Sequence, residues 1–371
     1  MKKTLNKERV NILIAPLNWG LGHAMRCIPM IKELTGSGFN VILAADGRPY
    51  DLLHSEFPDL EMIRLPGQAI TYSKNSSFLK MLKIVPAFYR MIKKEHKMLK
   101  SLIQKHNIHA VISDNRYGLY SHKIPSIFIG HQMMIKMPVF LKWTEWFIHK
   151  LNLRFINRFT ECWIPDYKDN KGLSGDLAHK YSLPENFYFI GPLSRFNKDN
   201  EVFNTEKADA NSELLVILSG PEPQRTILEE KLLTQLQCVN CKATIVRGVT
   251  EQNRNYYLDS QTRIIDHADT SHLQSLIRGA KIIVCRSGYS SIMDLAATGK
   301  KAIFIPTPGQ TEQEYLAEYF YQKRIFYYEF QKSFNISKAL QNVKTYPGIQ
   351  TVYAPAFLRK RIESLAERIE S

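Results

Sequence analysis

The sequence predicts an α/β protein of two halves, each built on a parallel sheet covered by helices on both faces. Short, fully apolar runs such as Val10–Ala15 and Ile282–Cys285 alternate with helical stretches. Unbroken rather than alternating hydrophobicity marks strands buried on both faces. The alternation occurs twice, on either side of a polar, aperiodic stretch at Phe196–Ser212. A chain of 371 residues also suits two domains better than one.

In order along the chain, Val10–Ala15 is the first strand, and Asn18–His23 is a glycine turn. A helix follows from about Ala24 to Thr35 and stops at Gly36-Ser37-Gly38, where glycines end helices readily. Asn40–Ala45, His109–Ser113 and Ser126–Gly130 are further strands. Between them, Leu82, Val85, Tyr89, Ile92, His96, Leu99 and Ile103 keep helical spacing, with Lys83, Arg90, Lys94 and Lys97 on a different side. Pro86 must kink this helix or open it. Met133–Phe159 adds Met133, Met134, Met137, Phe140, Trp143, Trp146, Phe147, Phe155 and Phe159 among lysines and arginines. Beyond the polar stretch, Leu214–Leu218, Thr244–Arg247, Ile282–Cys285 and Ala302–Pro306 are strands. From about Ala354 to Ser371 an amphipathic helix carries Phe357, Leu358, Ile362, Leu365 and Ile369 near one side. The expected domains are residues 1–195 and 213–352, joined by a linker at 196–212 and followed by a terminal helix at 353–371.

Hydrophobic content of 44% and charged content of 23% fit globular cores. No uncharged apolar run of about 18 residues is present, and no signal-peptide core follows the basic N-terminus. The expected location is the cytoplasm. Five scattered cysteines suit reduced thiols. Cys238-Val-Asn-Cys241 has no second pair for zinc, and it follows a helix rather than opening one, unlike a thioredoxin-type site. The net charge is +15, and residues 71–160 alone hold 16 Lys and Arg against Glu95, Asp114 and Glu145. Charge this local implies an anionic surface opposite it. Basic segments bearing Trp and Phe have the pattern of an interfacial membrane element. The bland alternative is a solvated surface helix packed on the sheet. Nucleic acid is disfavoured because no recognition module is legible.

The run VCRSGYSSIMDLAATG at Val284–Gly299 carries the most chemistry. A strand stops at Arg286-Ser287-Gly288, and a helix opens at Tyr289-Ser290. Glycine permits close backbone approach, and an open helix start offers N–H groups to phosphate. Asp294, deeper in that helix, is placed to accept from a ribose diol. Gly20 and Gly22 in the first turn imitate a dinucleotide fingerprint, and Asp46 stands where the ribose acid would be. The third glycine is replaced by Met25, which argues against NAD or FAD. His23 at the first turn of a helix has its charged form disfavoured by the dipole, as a general base requires; capping or packing is the alternative role. Asp114 is a rival base, or a partner of Arg116. His131-Gln132 after the next strand suits acceptor hydroxyls. Glu312 and Gln313, in the loop after Ala302–Pro306, suit sugar hydroxyls.

Together the turn at Gly20–His23, the block Cys285–Asp294 and the loop Thr307–Gln313 resemble the GT-B glycosyltransferases. The likeness is to the family-28-like group that includes the GlcNAc transferase of lipid-linked peptidoglycan precursor synthesis. The resemblance implies two Rossmann-like domains facing a cleft, with donor on the C-terminal and acceptor on the N-terminal domain. It also implies a metal-independent inverting reaction and a final helix that returns to the first domain. By position it implies that Asp294 holds the donor ribose, and that Ser287 and Gly288 bind diphosphate with Arg195 nearby. Ile265 would read the base through its backbone, Gln313 would contact the sugar, and His23 would be the glycine-loop histidine. The second glycine-rich loop departs from the pattern: Ser219-Gly220 is followed by Pro221-Glu222-Pro223. Gly20–Cys27 also resembles the nucleotide-sugar hydrolase of pseudaminic acid synthesis, which uses water as acceptor. The expected activity is therefore transfer from a UDP-hexose or UDP-HexNAc to a lipid-linked or glycan acceptor, at the inner face of the cytoplasmic membrane. A hydrolase and a noncatalytic binding subunit are the alternatives.

Overall fold

Strands form where the sequence runs apolar without a break. The computed structural model describes residues 10–66, 78–169, 172–196, 212–249, 254–349 and 356–370. Residues 197–211 of the linker expected at 196–212 and the side chains of Leu82, Lys83 and Val85 lie outside the described residues. The chain divides into two compact units, Met1–Leu193 with Ala354–Ser371, and Ser194–Tyr353.

The first unit contains β1 (Asn11–Pro16), α1 (Gly22–Gly36), β2 (Asn40–Ala45), α2 (Gly47–Glu56), β3 (Glu61–Arg64), α3 (Phe78–Lys105), β4 (Ile108–Asp114) and β5 (Ser126–Ile129). A 3-10 turn (Val139–Thr144), α4 (Glu145–Ile156), β6 (Glu161–Ile164), α5 (Asp176–His179) and β7 (Phe187–Phe189) follow. Its seven strands are all parallel, in the order β3-β2-β1-β4-β5-β6-β7. The order reverses between β1 and β4, and ligands bind beyond the carboxyl ends of strands at such a reversal. Leu13, Ile42, Leu99 and Val111 are buried together on one side of this sheet, and Phe128, Phe159, Cys162 and Ile164 form a second cluster.

The second unit contains β8 (Leu214–Ile217), α6 (Gln224–Leu236), β9 (Ala243–Val246), β10 (Asn255–Tyr257), β11 (Thr262–Ile265), α7 (Thr270–Gly279), β12 (Ile282–Cys285) and α8 (Tyr289–Thr298). β13 (Lys301–Phe304), α9 (Thr311–Gln322), β14 (Tyr327–Tyr328) and α10 (Ile336–Asn342) complete it. Its order is β10-β11-β9-β8-β12-β13-β14, parallel except for β10, so the reversal falls between β8 and β12. α11 (Ala356–Glu370) packs on the first unit. Leu358, Ile362 and Leu365 are buried, and Arg359 bonds Glu33 on α1 at 2.6 Å.

Pro86 lies inside α3, which starts at Phe78 and runs to Lys105, so of its two expected roles it does not open the helix. Two expectations change. The apolar stripe of α3 is not an exposed face: Ile92 and Leu99 are buried, because the helix covers the sheet. The second basic segment is not one amphipathic helix. Met133, Met134 and Phe159 go to the interior, while Phe140, Trp143, Trp146 and Phe147 stay exposed on the 3-10 turn and α4. Among the described residues no helix is long and apolar enough to cross a membrane.

Candidate active site

Asp114 is the last residue of β4 and pairs in register with Pro16 at the end of β1. The turn between β1 and α1 needs Gly20, whose φ is +74°, and a Cβ there would meet nothing within 4 Å. That turn delivers His23 to the start of α1, two residues earlier than its expected beginning. His23 Nδ1 lies 2.8 Å from Asp114 Oδ1. Arg26, one helical turn on, donates from Nε to Asp114 Oδ2 at 2.6 Å and from Nη2 to Oδ1. The Cys27 thiol adds a donor to Oδ2 at 3.6 Å. Arg26 also reaches His131, which follows β5, with Nη1 3.0 Å from Nδ1.

Asp114 is fully buried. Burial pushes its carboxyl up, but the Arg26 and His23 charges and hydrogen bonds outweigh that and hold it well below the usual carboxylate range. This corrects both roles expected of Asp114. It is a poor general base, because its proton affinity is lowered and its two oxygens are enclosed and already accept from His23, Arg26 and Cys27. It does not pair with Arg116 either, which instead bonds Glu95 on α3 at 2.9 Å, both buried. Asp114 therefore orients His23. With Nδ1–H donated to the carboxylate, the ring's lone pair sits on Nε2. Sequence reasoning missed Arg26, although its spacing of three from His23 puts both on one helix face. Gln132 contributes structurally through its carbonyl, which accepts from Asn152 on α4 at 2.9 Å.

In the second unit, Ser219-Gly220 follows β8 and Arg286-Ser287-Gly288 follows β12, on the two sides of the strand-order reversal. Gly288 is the N-cap of α8 and has no side-chain cap, and a Cβ on it would meet nothing within 4 Å. An uncapped helix start with open space over it suits an anion. Tyr289 has a buried side chain, so its contribution at the turn is limited to main chain. Ser290 takes the second position of the helix. Ser287 is buried and its hydroxyl donates to Gln313 O at 2.7 Å.

Arg286 is 1% exposed, and its donors go to the carbonyls of Ile305 (3.0 Å), Pro306 (3.3 Å) and Gln224 (2.9 Å). Burial lowers its pKa to about 10. It ties three loops together as a buried cation and is not an exposed clamp. A Cβ on Gly220 would lie 3.4 Å from Thr307 Oγ1 and 3.9 Å from Arg286 Nε, so the three converge. Thr307 Oγ1 is buried with no hydrogen-bond partner among the described residues. No residue-level signal singles out Thr307 in the sequence beyond its place in the loop Thr307–Gln313.

Asp294 accepts from Ser194 Oγ at 2.8 Å and lies 3.5 Å from Arg195 Nε. Burial raises its carboxyl above the usual value, against the lowering effect of Arg195 and Ser194. Gln313 accepts from Thr307 N at 2.9 Å and so closes the loop expected to hold sugar; Glu312 lies in the first turn of α9. Ile265 is a buried residue at the end of β11, which lies between β9 and β10, and its carbonyl accepts from Arg247 N at 2.9 Å. Among the described residues no group of three or more His, Cys, Asp or Glu is placed to hold a metal.

Residues 221–352 match the model of the glycosyltransferase family 28 C-terminal domain. An uncharacterized glycosyltransferase of Methanosarcina mazei is 24% identical over 340 residues, covering 86% of this chain and 87% of the relative. The UDP-N-acetylglucosamine–N-acetylmuramyl-(pentapeptide) pyrophosphoryl-undecaprenol N-acetylglucosamine transferase of Flavobacterium psychrophilum is 32% identical over 129 residues, 32% of this chain and 33% of the relative. The crystal structure of the kitacinnamycin glycotransferase superposes with a TM-score of 0.61 at 13% identity, covering 98% of this chain and 95% of that one.

Proposed function

We propose, for a chain that carries the GT-B fold and is related to glycosyltransferase family 28, that it moves a sugar from a nucleotide-diphosphate donor to an acceptor hydroxyl at a membrane surface. The donor class is a UDP-hexose or UDP-N-acetylhexosamine, and the acceptor is a lipid-linked or cell-envelope glycan. The observation that carries this reading is His23, held by buried Asp114 at the strand-order reversal of the first unit.

The diphosphate docks at the Ser219-Gly220 turn and at Ser287-Gly288, where the helix-start amides of α8 meet its charge and buried Arg286 lies beneath. Asp294 takes a ribose hydroxyl, since a carboxylate has about four lone-pair sites and Ser194 and Arg195 use only part of them. The acceptor oxygen bonds to the anomeric carbon as the carbon–phosphate-oxygen bond breaks. The electron pair leaves with the nucleoside diphosphate, and the acceptor proton passes to His23 Nε2. Attack opposite the leaving group inverts the centre, and no metal enters the scheme. Asp114 stabilises the positive charge that the ring acquires.

Support for the membrane surface comes from α4, which turns large aromatics outward. Glu145, His149 and Asn152 join Ile156 on its buried face, while Trp146 is 53% and Phe147 66% exposed. Phe140 and Trp143, on the preceding 3-10 turn, are 71% and 81% exposed. Apolar side chains turned outward beside Lys142 and Lys150 fit an anionic leaflet at its cytoplasmic face.

The test is release of nucleoside diphosphate from UDP-sugars, with and without lipid acceptor. Release that requires acceptor supports transfer; release into water alone supports the hydrolase, where His23 would activate water. His23→Gln should cut turnover by about a hundredfold or more while UDP affinity holds. Unchanged turnover would remove His23 from the chemistry.

A further inference from the structure

In the first unit one guanidinium serves two histidines. Arg26 and His131 are both buried, and Arg26 Nη1 stands 3.0 Å from His131 Nδ1. Arginine has donors only, so a hydrogen bond here needs a lone pair on His131 Nδ1. In a neutral ring that puts the proton on Nε2. His23 faces the reverse demand. Its Nδ1 is 2.8 Å from Asp114 Oδ1, which offers lone pairs only, so Nδ1 carries the proton. An unprotonated Nδ1 would set two lone pairs against each other at that distance. Arg26 Nη2 also lies 3.1 Å from His23 Nδ1, because both groups donate to the same carboxylate oxygen.

We propose that Arg26 and Asp114 together give the two histidines opposite tautomers, Asp114 setting His23 and Arg26 acting as the positioning residue that sets His131. His23 can then only take a proton at Nε2, and His131 can only donate there, to whatever atom it meets. The guanidinium does this by filling the Nδ1 side of His131 while it and His23 share Asp114. Without it, His131 would be free to turn its Nδ1–H toward the same carboxylate cluster and compete with His23. The division deepens the glycosyltransferase reading and rests on His23 being the base.

The experiment is long-range 1H–15N correlation on the full chain labelled with 15N-histidine, at a pH where both rings are neutral. His23→Gln and His131→Gln identify the two signals among the 11 histidines. The expected spectrum has His23 protonated at Nδ1 and His131 at Nε2. The same tautomer on both rings would overturn the proposal, and this needs no variant of Arg26. Arg26→Lys should then let an Nδ1–H form of His131 appear and lower kcat about tenfold to a hundredfold, with the donor KM unchanged. A spectrum and kcat unaltered by Arg26→Lys would also overturn it. The base reading fails separately, by full turnover in His23→Gln, whichever tautomers the spectrum reports.

Discussion

Asp114 and Asp294 are both buried carboxylates, yet their surroundings move them in opposite directions. The two partners that lower Asp114, His23 and the Arg26 cation with its two bonds, outweigh its desolvation. At Asp294 the single cation sits at 3.5 Å, and desolvation wins. The consequences for stability have opposite sign. The folded pKa of Asp114 lies below its unfolded value, so its contribution is present above the ordinary carboxylate range and is lost only as pH falls through the low folded value. The folded pKa of Asp294 lies above its unfolded value, so stability is fullest below the ordinary range and declines as pH rises from there through the raised folded value. Asp294→Asn cannot titrate and should flatten that decline. Denaturant midpoints of the two proteins across mildly acidic pH check it, and parallel curves would mean that Asp294 is not perturbed as described.

At the scale of elements, α4 does two jobs with its two faces. Its outer face holds exposed aromatics, and its inner face fixes the loop after β5. Asn152 Nδ2 bonds Gln132 O at 2.9 Å and Met133 O at 3.1 Å, and His149 Nδ1 lies 2.9 Å from Met133 O. Tyr117 completes the arrangement by donating to Asn152 Oδ1 at 2.8 Å. The helix that would meet the membrane thus sets the position of His131-Gln132. Asn152→Leu removes the donor to the Gln132 carbonyl and the acceptor of the Tyr117 hydroxyl, at a cost of about 1–3 kcal/mol. Its expected kinetic effect is a raised acceptor KM with donor KM unchanged. Equal change in both, or in neither, would separate α4 from the acceptor loop. Glu95 and Arg116 play the same kind of part for α3, with Gly118 N donating to Glu95 Oε2 at 3.1 Å.

For the molecule as a whole, charge and exposed apolar surface occur in the same stretch of chain. Residues 71–160 hold most of the excess of lysine and arginine, and Phe140, Trp143, Trp146 and Phe147 expose their rings there. A double variant Trp143→Ser/Trp146→Ser should weaken binding to vesicles containing anionic lipid about a hundredfold, from the apolar area it withholds. Sedimentation with such vesicles measures this, and the variant should keep its turnover on a soluble acceptor analogue. Equal sedimentation of both proteins would leave the patch without a role at membranes.

How much was legible beforehand follows the range of the interactions involved. Asn40–Ala45 and Ile282–Cys285 were placed to the residue, because an unbroken apolar run has few alternatives to a buried strand. The helix start at Tyr289 was equally plain, because glycine and a change of periodicity are local signals. The short edge strands β3, β7, β10 and β14 carried no such signal. The α3 stripe was ambiguous for a different reason: a face packed on a sheet and a face turned to lipid are written with the same residues. Asp114 shows the same limit at the site, since its partner came from 88 positions away and not from two. The sequence by itself determined where backbone groups are buried or left open, because that depends on neighbours along the chain. Only tertiary structure decided which carboxylate is a base's support and which arginine is a strut, because charge pairing depends on distance in space.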